Sequence, residues 1–550
     1  MTTSTPRRRP SQYSPRQAPS GSTHRPAAPR PQRKRFSERL DGLVNYLDRQ
    51  PSLDYQAIRS IVLILVGIGV VMVFSSSMTW SIQESSSVWA IAIRQGLMVA
   101  LGLVVFWAML KIPIGWIRKS AKALFWISIA LLILVLIPGL GTGRAEVGSQ
   151  SWLNLRVVQL QPSELAKVAI AVWGAAFLAG HTHERTSLRS PFTQFIICSL
   201  VMFALIVAEG DLGMAVSFAI EVAFLLIFAG IKWQVITVGG IIAVLGMAGV
   251  FLTGGFRSDR FHTYFSAFRG DFADTKSAAF QSYQGFLSLA DGSLGGVGLG
   301  QSRAKWFYLP ESKNDFIFAI IGEELGLWGG AFVILLFAGL GFFGFRAAMR
   351  AQNQFQSLMA ATLTAGVVSQ AFINIGYVIG LLPVTGIQLP MISAGGTSAV
   401  ITIGSMGILA SVARHEPETV SAMQNYGRPF SDRLFGLPEP APEAEEMRER
   451  KARKKVARQP KARVRQPLAG RAASHDERRI VGEPEGRRYA AEEREVASRP
   501  VRQATPMHPR AEMGARRPRT AGQQRPQGRS AVRPQAGQQS ARGIRYDGRR

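Results

Sequence analysis

Cysteine is almost missing from this chain. Its 550 residues hold one, Cys198, inside an apolar run, so no intrachain disulfide can form. No HExxH, CxxC, GxSxG or Walker pattern occurs, which leaves no sequence support for a zinc, haem, nucleotide or serine-hydrolase site. Acids are scarce too: 36 Asp and Glu stand against 64 Lys and Arg, for a formal net charge of +28. Such a balance invites a nucleic-acid reading, but the charge is concentrated at the two ends, around a body that is not polar at all.

That body is a succession of apolar runs from 58 to 413, of which "IRSIVLILVGIGVVMVF" is typical. Most are long enough, at ~20 residues each, to cross a bilayer. Residues 1–57 are rich in Pro, Ser and Arg, and residues 414–550 in Arg, Ala, Pro and Gln. Neither end carries enough apolar side chain to offset chain entropy, so both are expected to be disordered. Attached to a membrane body, they read as solvated cytoplasmic segments that touch anionic lipid or acidic partners, with no nucleic acid involved. The first apolar run follows a long polar arm, so it is read as a retained membrane helix and not as a cleavable signal.

The pattern predicts an all-α integral membrane protein of ten spans, at about 58–78, 88–110, 120–140, 162–180, 192–208, 211–230, 233–253, 315–345, 357–382 and 392–413. The runs on either side of "AEGDLG" require a tight turn. Basic residues crowd before the first span, in "KIPIGWIRKSAK", at Arg185, Arg189, Lys232, Arg346 and Arg350, and in the tail. The alternate loops 79–87, 209–210 and 383–391 contain no Lys or Arg. Positive residues stay inside, so both termini are predicted to be cytoplasmic. The loop 141–161 carries Arg and is an exception, and 254–314 is a large extracytoplasmic loop between the seventh and eighth spans, long enough to escape the rule.

This topology places three polar motifs at the outer face: "QPSELAK" (161–167), "EGDLG" (209–213) and "LPESKND" (309–315). Asp315 opens the eighth span, where an acid caps orphan N–H groups or performs chemistry. Glu323 and Glu324 lie ~12–14 Å deeper along that helix and are expected to find a cation inside the bundle. Glu164 and Lys167, three apart, share a helix face; they pair with each other, or Lys167 offers its charge to an anionic substrate. The loop 254–314 mixes Arg257, Arg260, Arg269, Lys276, Arg303, Lys305 and Lys313 with Tyr264, Phe268, Trp306 and Tyr308. This suits a lipid-linked phosphate at an interface, or an ordinary solvated loop. Its "GVGLG" lacks the strand-then-helix setting of a phosphate cradle. The last outer turn, "NIGYVIGLLPVTGIQLPMISAGGTS", breaks two helices at Pro and Gly, as backbone lining a cavity does.

Taken together and in order, "QPSELAK", "DLG", "LPESKNDFIFAIIGEELG" and "NIG…GLLPVTGIQLP…ISAGGTS" resemble the SEDS family (shape, elongation, division, sporulation) of cell-wall glycosyltransferases, over residues 55–415. The resemblance is closer to its division branch than to its elongation branch, and the long basic tail is similar to those of actinobacterial members. It implies a polymerase of lipid II, the undecaprenyl-pyrophosphate disaccharide-pentapeptide, at the outer face of the plasma membrane and the division septum. It implies a class B penicillin-binding protein as partner, with other division proteins on the cytoplasmic tails. The family's essential acid matches Asp315. Glu164 and Lys167 match its QPSE helix, Asp211 its PDLGT turn, Gln281 and Gln284 its loop glutamines, and Glu311 its LPE acid. Asn374, Ser393 and Ser398 match polar positions of its last outer turn. Gly210 and Met214 depart from PDLGT, Phe280 stands for a common Tyr, and Ala394 for the Tyr of SYGG. Ser151 and Gln159 stand where Arg is frequent, leaving Arg144 or Arg156 to substitute.

The implied chemistry is inverting glycosyl transfer with Asp315 as general base. The leaving pyrophosphate needs cations, for which Lys167 and Arg260 are the candidates. A divalent ion beside Asp211 or Glu311 is compatible with this and is demanded by no pattern. Two rivals remain: a lipid II transporter, which needs polar groups at mid-membrane depth such as Arg94, Glu221, Glu323 and Glu324, and a noncatalytic scaffold acting through its tails.

Overall fold

The computed structural model describes residues 50–440, apart from 86, 88, 144–147, 156–157, 182–189, 233, 235, 243–244, 246–277 and 307–308. The expectations of disorder for the far N-terminal arm and for the tail beyond 440 lie outside the described residues, as does most of the predicted span 233–253.

Apolar runs become helices here because their ends are punctuated. α1 (Leu53–Ser85) and α2 (Ala90–Lys111) are followed by Pro113, which sits at the N-cap of α3 (Ile114–Leu136). Proline, pre-set for a first turn and lacking a donor that would be orphaned there, also opens α4 (Pro162–Leu178) and α5 (Pro191–Glu209). Ser190 caps α5 by accepting from the Thr193 amide. The predicted tight turn is Gly210, left-handed at φ 86°, followed by Asp211, which caps α6 (Leu212–Phe228) through Met214 N at 3.0 Å. Proline is fixed near φ −65° and cannot adopt that geometry, so the Pro of the resembled PDLGT motif would not fit at Gly210 in this turn.

Beyond these lie α7 (Ala278–Gly292), α8 (Ile317–Met349), α9 (Gln354–Val378) and α10 (Thr397–Arg414). Seven helices among the described residues are long and apolar enough to cross a membrane: α1, α2, α3, α5, α8, α9 and α10. α4 and α6 are shorter, at 17 residues each. The chain is thus a multi-pass helical membrane protein. Within it α9 and α10 are central, with 72% and 83% of their most apolar stretch buried, against 22% for α2, whose Leu97, Leu101 and Val104 face outward. A membrane helix can leave leucine exposed in this way because lipid is its solvent.

The fold is not purely helical. The loop 141–161 forms a three-stranded antiparallel sheet, β1 (Gly141–Thr142), β2 (Trp152–Asn154) and β3 (Gln159–Leu160), in the order β1-β2-β3, with Gly141 opposite Leu153 and Asn154 opposite Gln159. Backbone polar groups at a bilayer edge must find partners, and strands this short supply them without leaving a periodic signal in the sequence. The sheet ties helix ends together. Gln150 donates its amide to Glu209 O at 2.7 Å and its side chain to Val135 O at 3.0 Å, and Thr397 donates to Gln159 O at 2.7 Å.

α8 is 33 residues long, ~50 Å at 1.5 Å per residue, well past a ~30 Å hydrocarbon core. It is not straight: Gly326 takes φ 69°, ψ −167°. The glycine-rich segment 293–302 packs backbone-to-backbone into this kink, with Val297 N on Glu323 O (2.9 Å) and Gly298 N on Glu324 O (3.0 Å). A Cβ on Gly326 would lie 2.3 Å from Gly296 N. "GVGLG" is therefore committed to helix packing. Gly326→Ala is expected to destabilise the fold by ~1–3 kcal/mol from backbone strain, with the clash in addition. Gly330→Ala, whose Cβ would meet only Phe318 at 3.4 Å, serves as the near-neutral control; thermal unfolding in detergent compares the two.

At the other end of the bundle the start of the predicted tail is ordered. Residues 415–440 follow α10 as two short helices, α11 (Pro417–Tyr426) and α12 (Phe430–Leu434), so the tail assignment from 414 begins too early. What holds them is charge pairing that composition hides. The fully buried Asp432 accepts from Tyr55 Oη (2.8 Å) and Arg414 Nε (2.9 Å), with Arg59 at 3.3 Å. The first helix likewise starts at Leu53, ahead of the predicted 58, because Asp54 pairs with Arg346 at 3.3 Å. Glu416 lies 3.7 Å from Arg350, yet burial, then the nearby Asp54 carboxylate, push its pKa up to about 8. The unfolded chain releases this proton near 4.5, so stability from this group is complete below that pH and is lost as pH rises through about 8. Glu416→Gln, neutral throughout, is expected to lose less thermal stability than the native protein across that window.

Candidate functional site

The polar residues expected at the outer face are organised by α9. Three of them, Gln370, Asn374 and Tyr377, follow at i, i+4 and i+7 and so share one face of an otherwise apolar, buried helix. Gln370 reaches α4. Lys167 Nζ donates to Gln370 Oε1 at 2.5 Å and lies 2.9 Å from Glu164 Oε2, while Gln370 Nε2 reaches Glu164 Oε1 at 3.5 Å and Gln388 O at 3.2 Å. The i,i+3 pairing open to Glu164 and Lys167 is therefore formed, and both are buried.

One turn further along, Asn374 and Tyr377 hold the chain at Asp315. Asn374 Nδ2 lies 2.9 Å from Asp315 O and 2.7 Å from Ile387 O, and donates to Tyr377 Oη at 2.6 Å; the single Tyr377 hydroxyl proton faces the same two carbonyls, at 2.9 and 2.7 Å. Ser393 Oγ donates to Asn314 O at 2.7 Å, and Ala394 N to Lys313 O at 3.0 Å. The backbone from 313 to 315 is thus pinned to the broken turn 387–394. Asp315 itself is half-buried and precedes the helix: the N-cap of α8 is Phe316, and no side chain caps there. Gln370 and Asn374 are ~6 Å apart along the axis, so α9 holds the Lys167 cation and the Asp315 segment at neighbouring levels of one helix face.

Other predicted residues fall around these two points. Asp211 accepts from Gln161 Nε2 at 3.2 Å beside its capping bond, next to the Glu164–Lys167 pair. Glu311 is exposed, takes φ 53°, and accepts from Asn314 through its side chain (2.6 Å) and its carbonyl (3.0 Å), which shapes the turn before Asp315. Gln281 and Gln284 are half-buried on α7, within a turn of Gly285, whose Cβ position lies 3.2 Å from the Phe316 ring. Ser398 is buried in the first turn of α10 with its amide on Gly395 O. Arg260, with Arg257, Arg269, Lys276, Arg144, Arg156, Tyr264, Phe268 and Tyr308, lies outside the described residues.

The deep acids divide. Glu324 finds the expected cation, Lys305 at 3.3 Å, and accepts from Ser75 Oγ at 2.6 Å. Glu323 is satisfied by neutral donors, Ser302 Oγ (2.7 Å) and Arg303 N (2.6 Å). Lys305 is buried in this structural cluster and is thereby withdrawn from the set of loop cations facing a substrate. Gln370, Tyr377, Gln161 and Gln388 were not singled out from sequence. A polar i, i+4, i+7 stripe on an apolar helix was the available signal for the first two.

Comparison with known proteins agrees with the motifs. The family model for cell cycle proteins of the FtsW/RodA/SpoVE type matches residues 55–418. A relative from Mycobacterium tuberculosis, called probable peptidoglycan glycosyltransferase FtsW, is 39% identical over 466 residues, covering 81% of this chain and 88% of its own. Stage V sporulation protein E of Bacillus subtilis is 35% identical over 355 residues, covering 64% of this chain and 95% of its own. A solved chain described under "Structural coordination of polymerization and crosslinking by a peptidoglycan synthase complex" aligns with a TM-score of 0.52 at 22% identity, covering 66% of this chain and 97% of its own, a likeness of fold. The chain belongs to the FtsW/RodA/SpoVE family, the SEDS family that its motifs resemble.

Proposed function

We propose that this chain is a peptidoglycan glycosyltransferase that polymerises lipid II at the outer face of the bacterial plasma membrane during septal wall synthesis. Its ten spans leave both termini in the cytoplasm, and it works beside a class B penicillin-binding protein. The observation that supports this reading is the face of α9, on which Gln370 holds the Glu164–Lys167 pair and Asn374 holds the Asp315 backbone. Gln370 and Asn374 stand one turn apart, so neighbouring residues hold a buried cation and the segment that carries a carboxylate, which suits a reaction that gains a proton at one point and negative charge at another.

In that reaction the 4-hydroxyl oxygen of the acceptor sugar attacks the anomeric carbon of the donor. Its proton passes to Asp315 as the new C–O bond forms. The bond from the anomeric carbon to the pyrophosphate oxygen breaks on the opposite side, inverting the centre, and the electron pair leaves with the lipid pyrophosphate. Lys167, with Arg260 from the large loop, offsets that charge. Asp211, Gln281, Gln284 and Glu311 line the approach. Asn374 and Ser393 act on the backbone that carries the base. A divalent ion on the pyrophosphate would fall near Asp211 or Glu311; among the described residues no cluster of three ligating side chains marks a resident metal site. The transporter reading loses Glu323 and Glu324, which are occupied by Ser302, Arg303, Ser75 and Lys305. The test supplies lipid II to the purified protein with its penicillin-binding partner, transpeptidase blocked. Glycan polymer on a gel is expected; none, with the partner bound, would return the reading to transporter or scaffold.

A further inference from the structure

The short helix α12 presents apolar side chains that no part of the described chain covers. Phe430 is 81% exposed and Leu434 68%; Phe435, directly after it, is 58% exposed. Phe430 and Leu434 stand four apart, hence on one face, while Asp432 falls on the opposite face, where it is fully buried against Tyr55, Arg59 and Arg414. The buried acid therefore orients the element and turns its apolar face away from the protein. Chain ends can leave apolar residues out by default, but here an ionic latch holds them in place.

Two observations indicate what covers that face. The first is continuity with the lipid-facing surface: Trp107 Nε1 on α2 donates to Phe435 O at 2.9 Å, and α2 carries exposed Leu101 and Val104 above it. The second is charge. Arg433, exposed beside Leu434, donates to Arg428 O and has no ion pair among the described residues, and Lys111 lies over the Trp107 ring at 3.9 Å. Indole, exposed apolar side chains and basic groups at one level describe a headgroup boundary.

We propose that α12 and Phe435 form an interfacial anchor that sits in the bilayer leaflet at this end of the bundle. Phe430, Leu434 and Phe435 enter the acyl boundary while Arg433 and Lys111 hold anionic headgroup phosphates. The anchor fixes the point from which the basic tail departs, and it does so at the membrane surface. It is independent of the glycosyltransferase reading and takes from the proposed topology only the name of the leaflet, cytoplasmic.

The test uses the full chain with Cys198→Ser and Leu434→Cys, the new thiol carrying an environment-sensitive fluorophore, in vesicles of phosphatidylcholine mixed with phosphatidylglycerol. Quenching by spin-labelled lipid together with shelter from aqueous iodide is expected. Arg433→Gln should weaken lipid partitioning about fivefold, as should loss of any single basic contact of this kind. Free access of iodide with no lipid quenching would overturn the proposal. Shelter from both quenchers would also overturn it, in favour of a protein cover such as a second copy. Equal lipid quenching in pure phosphatidylcholine would overturn the assignment to anionic headgroups.

Discussion

Asp315→Asn is expected to leave the protein folded and to reduce glycan polymer from lipid II by about two to four orders of magnitude, the contribution of a positioned general base. The expectation of a retained fold comes from how the site is built. Asn374 and Tyr377 grip the Asp315 carbonyl, Ser393 grips that of Asn314, and Phe316 N returns to Glu311 O at 3.2 Å. These are main-chain contacts that an Asn side chain leaves in place, and Asp315 is not the N-cap of α8. Asn preserves size and cannot take up a proton from the acceptor hydroxyl. Polymer is followed on a gel with the penicillin-binding partner present, and thermal unfolding in detergent checks the fold. Equal polymer from both proteins would reduce Asp315 to a residue of the turn and leave the base unassigned.

The membrane body was legible because a span is a property of a contiguous run. Five of the ten predicted spans end within a few residues of the observed helices, while the first helix and α8 extend past the prediction at one or both ends, α3 begins at Ile114, ahead of the predicted 120, and the last begins later, at Thr397. The Glu164–Lys167 pair was legible for a similar reason, since i,i+3 spacing is local. The grip on Asp315 was not. Asn374 and Tyr377 lie 59 and 62 residues from it along the chain, and nothing local to "NDFIF" announces them. The glycine-rich segment 293–302 was legible only as unfit for a phosphate cradle; its partner, the kink at Gly326, is a tertiary fact. The latch on Asp432 was hidden by averaging, because one acid among many arginines does not alter a composition that reads as tail.

The second large effect is expected at Lys167, and it separates a structural role from a chemical one. Lys167→Met removes the cation from a buried group in which Glu164 Oε2 lies 2.9 Å away and Gln370 Oε1 accepts from the ammonium. Glu221, buried on α6, is within electrostatic range of both Lys167 and Glu164, and its carboxyl packs under Gly366, where a Cβ would lie about 3 Å from it. Without the lysine, the buried Glu164 carboxylate loses its counter-charge, beside a second buried acid. Removing one partner of a buried pair costs ~3–5 kcal/mol, so the single variant is expected to lose much of its thermal stability in detergent. Lys167→Met combined with Glu164→Gln removes the stranded charge, and near-native stability is expected to return, since a neutral replacement of a buried pair is often close to isoenergetic. The double variant then reports on chemistry alone. If Lys167 offsets the charge of the departing pyrophosphate, the stable double variant makes no polymer, because no neutral side chain replaces that cation. If the pair only holds α4 against α9, polymer returns with the fold, and the cations that serve the leaving group must be sought in the large loop.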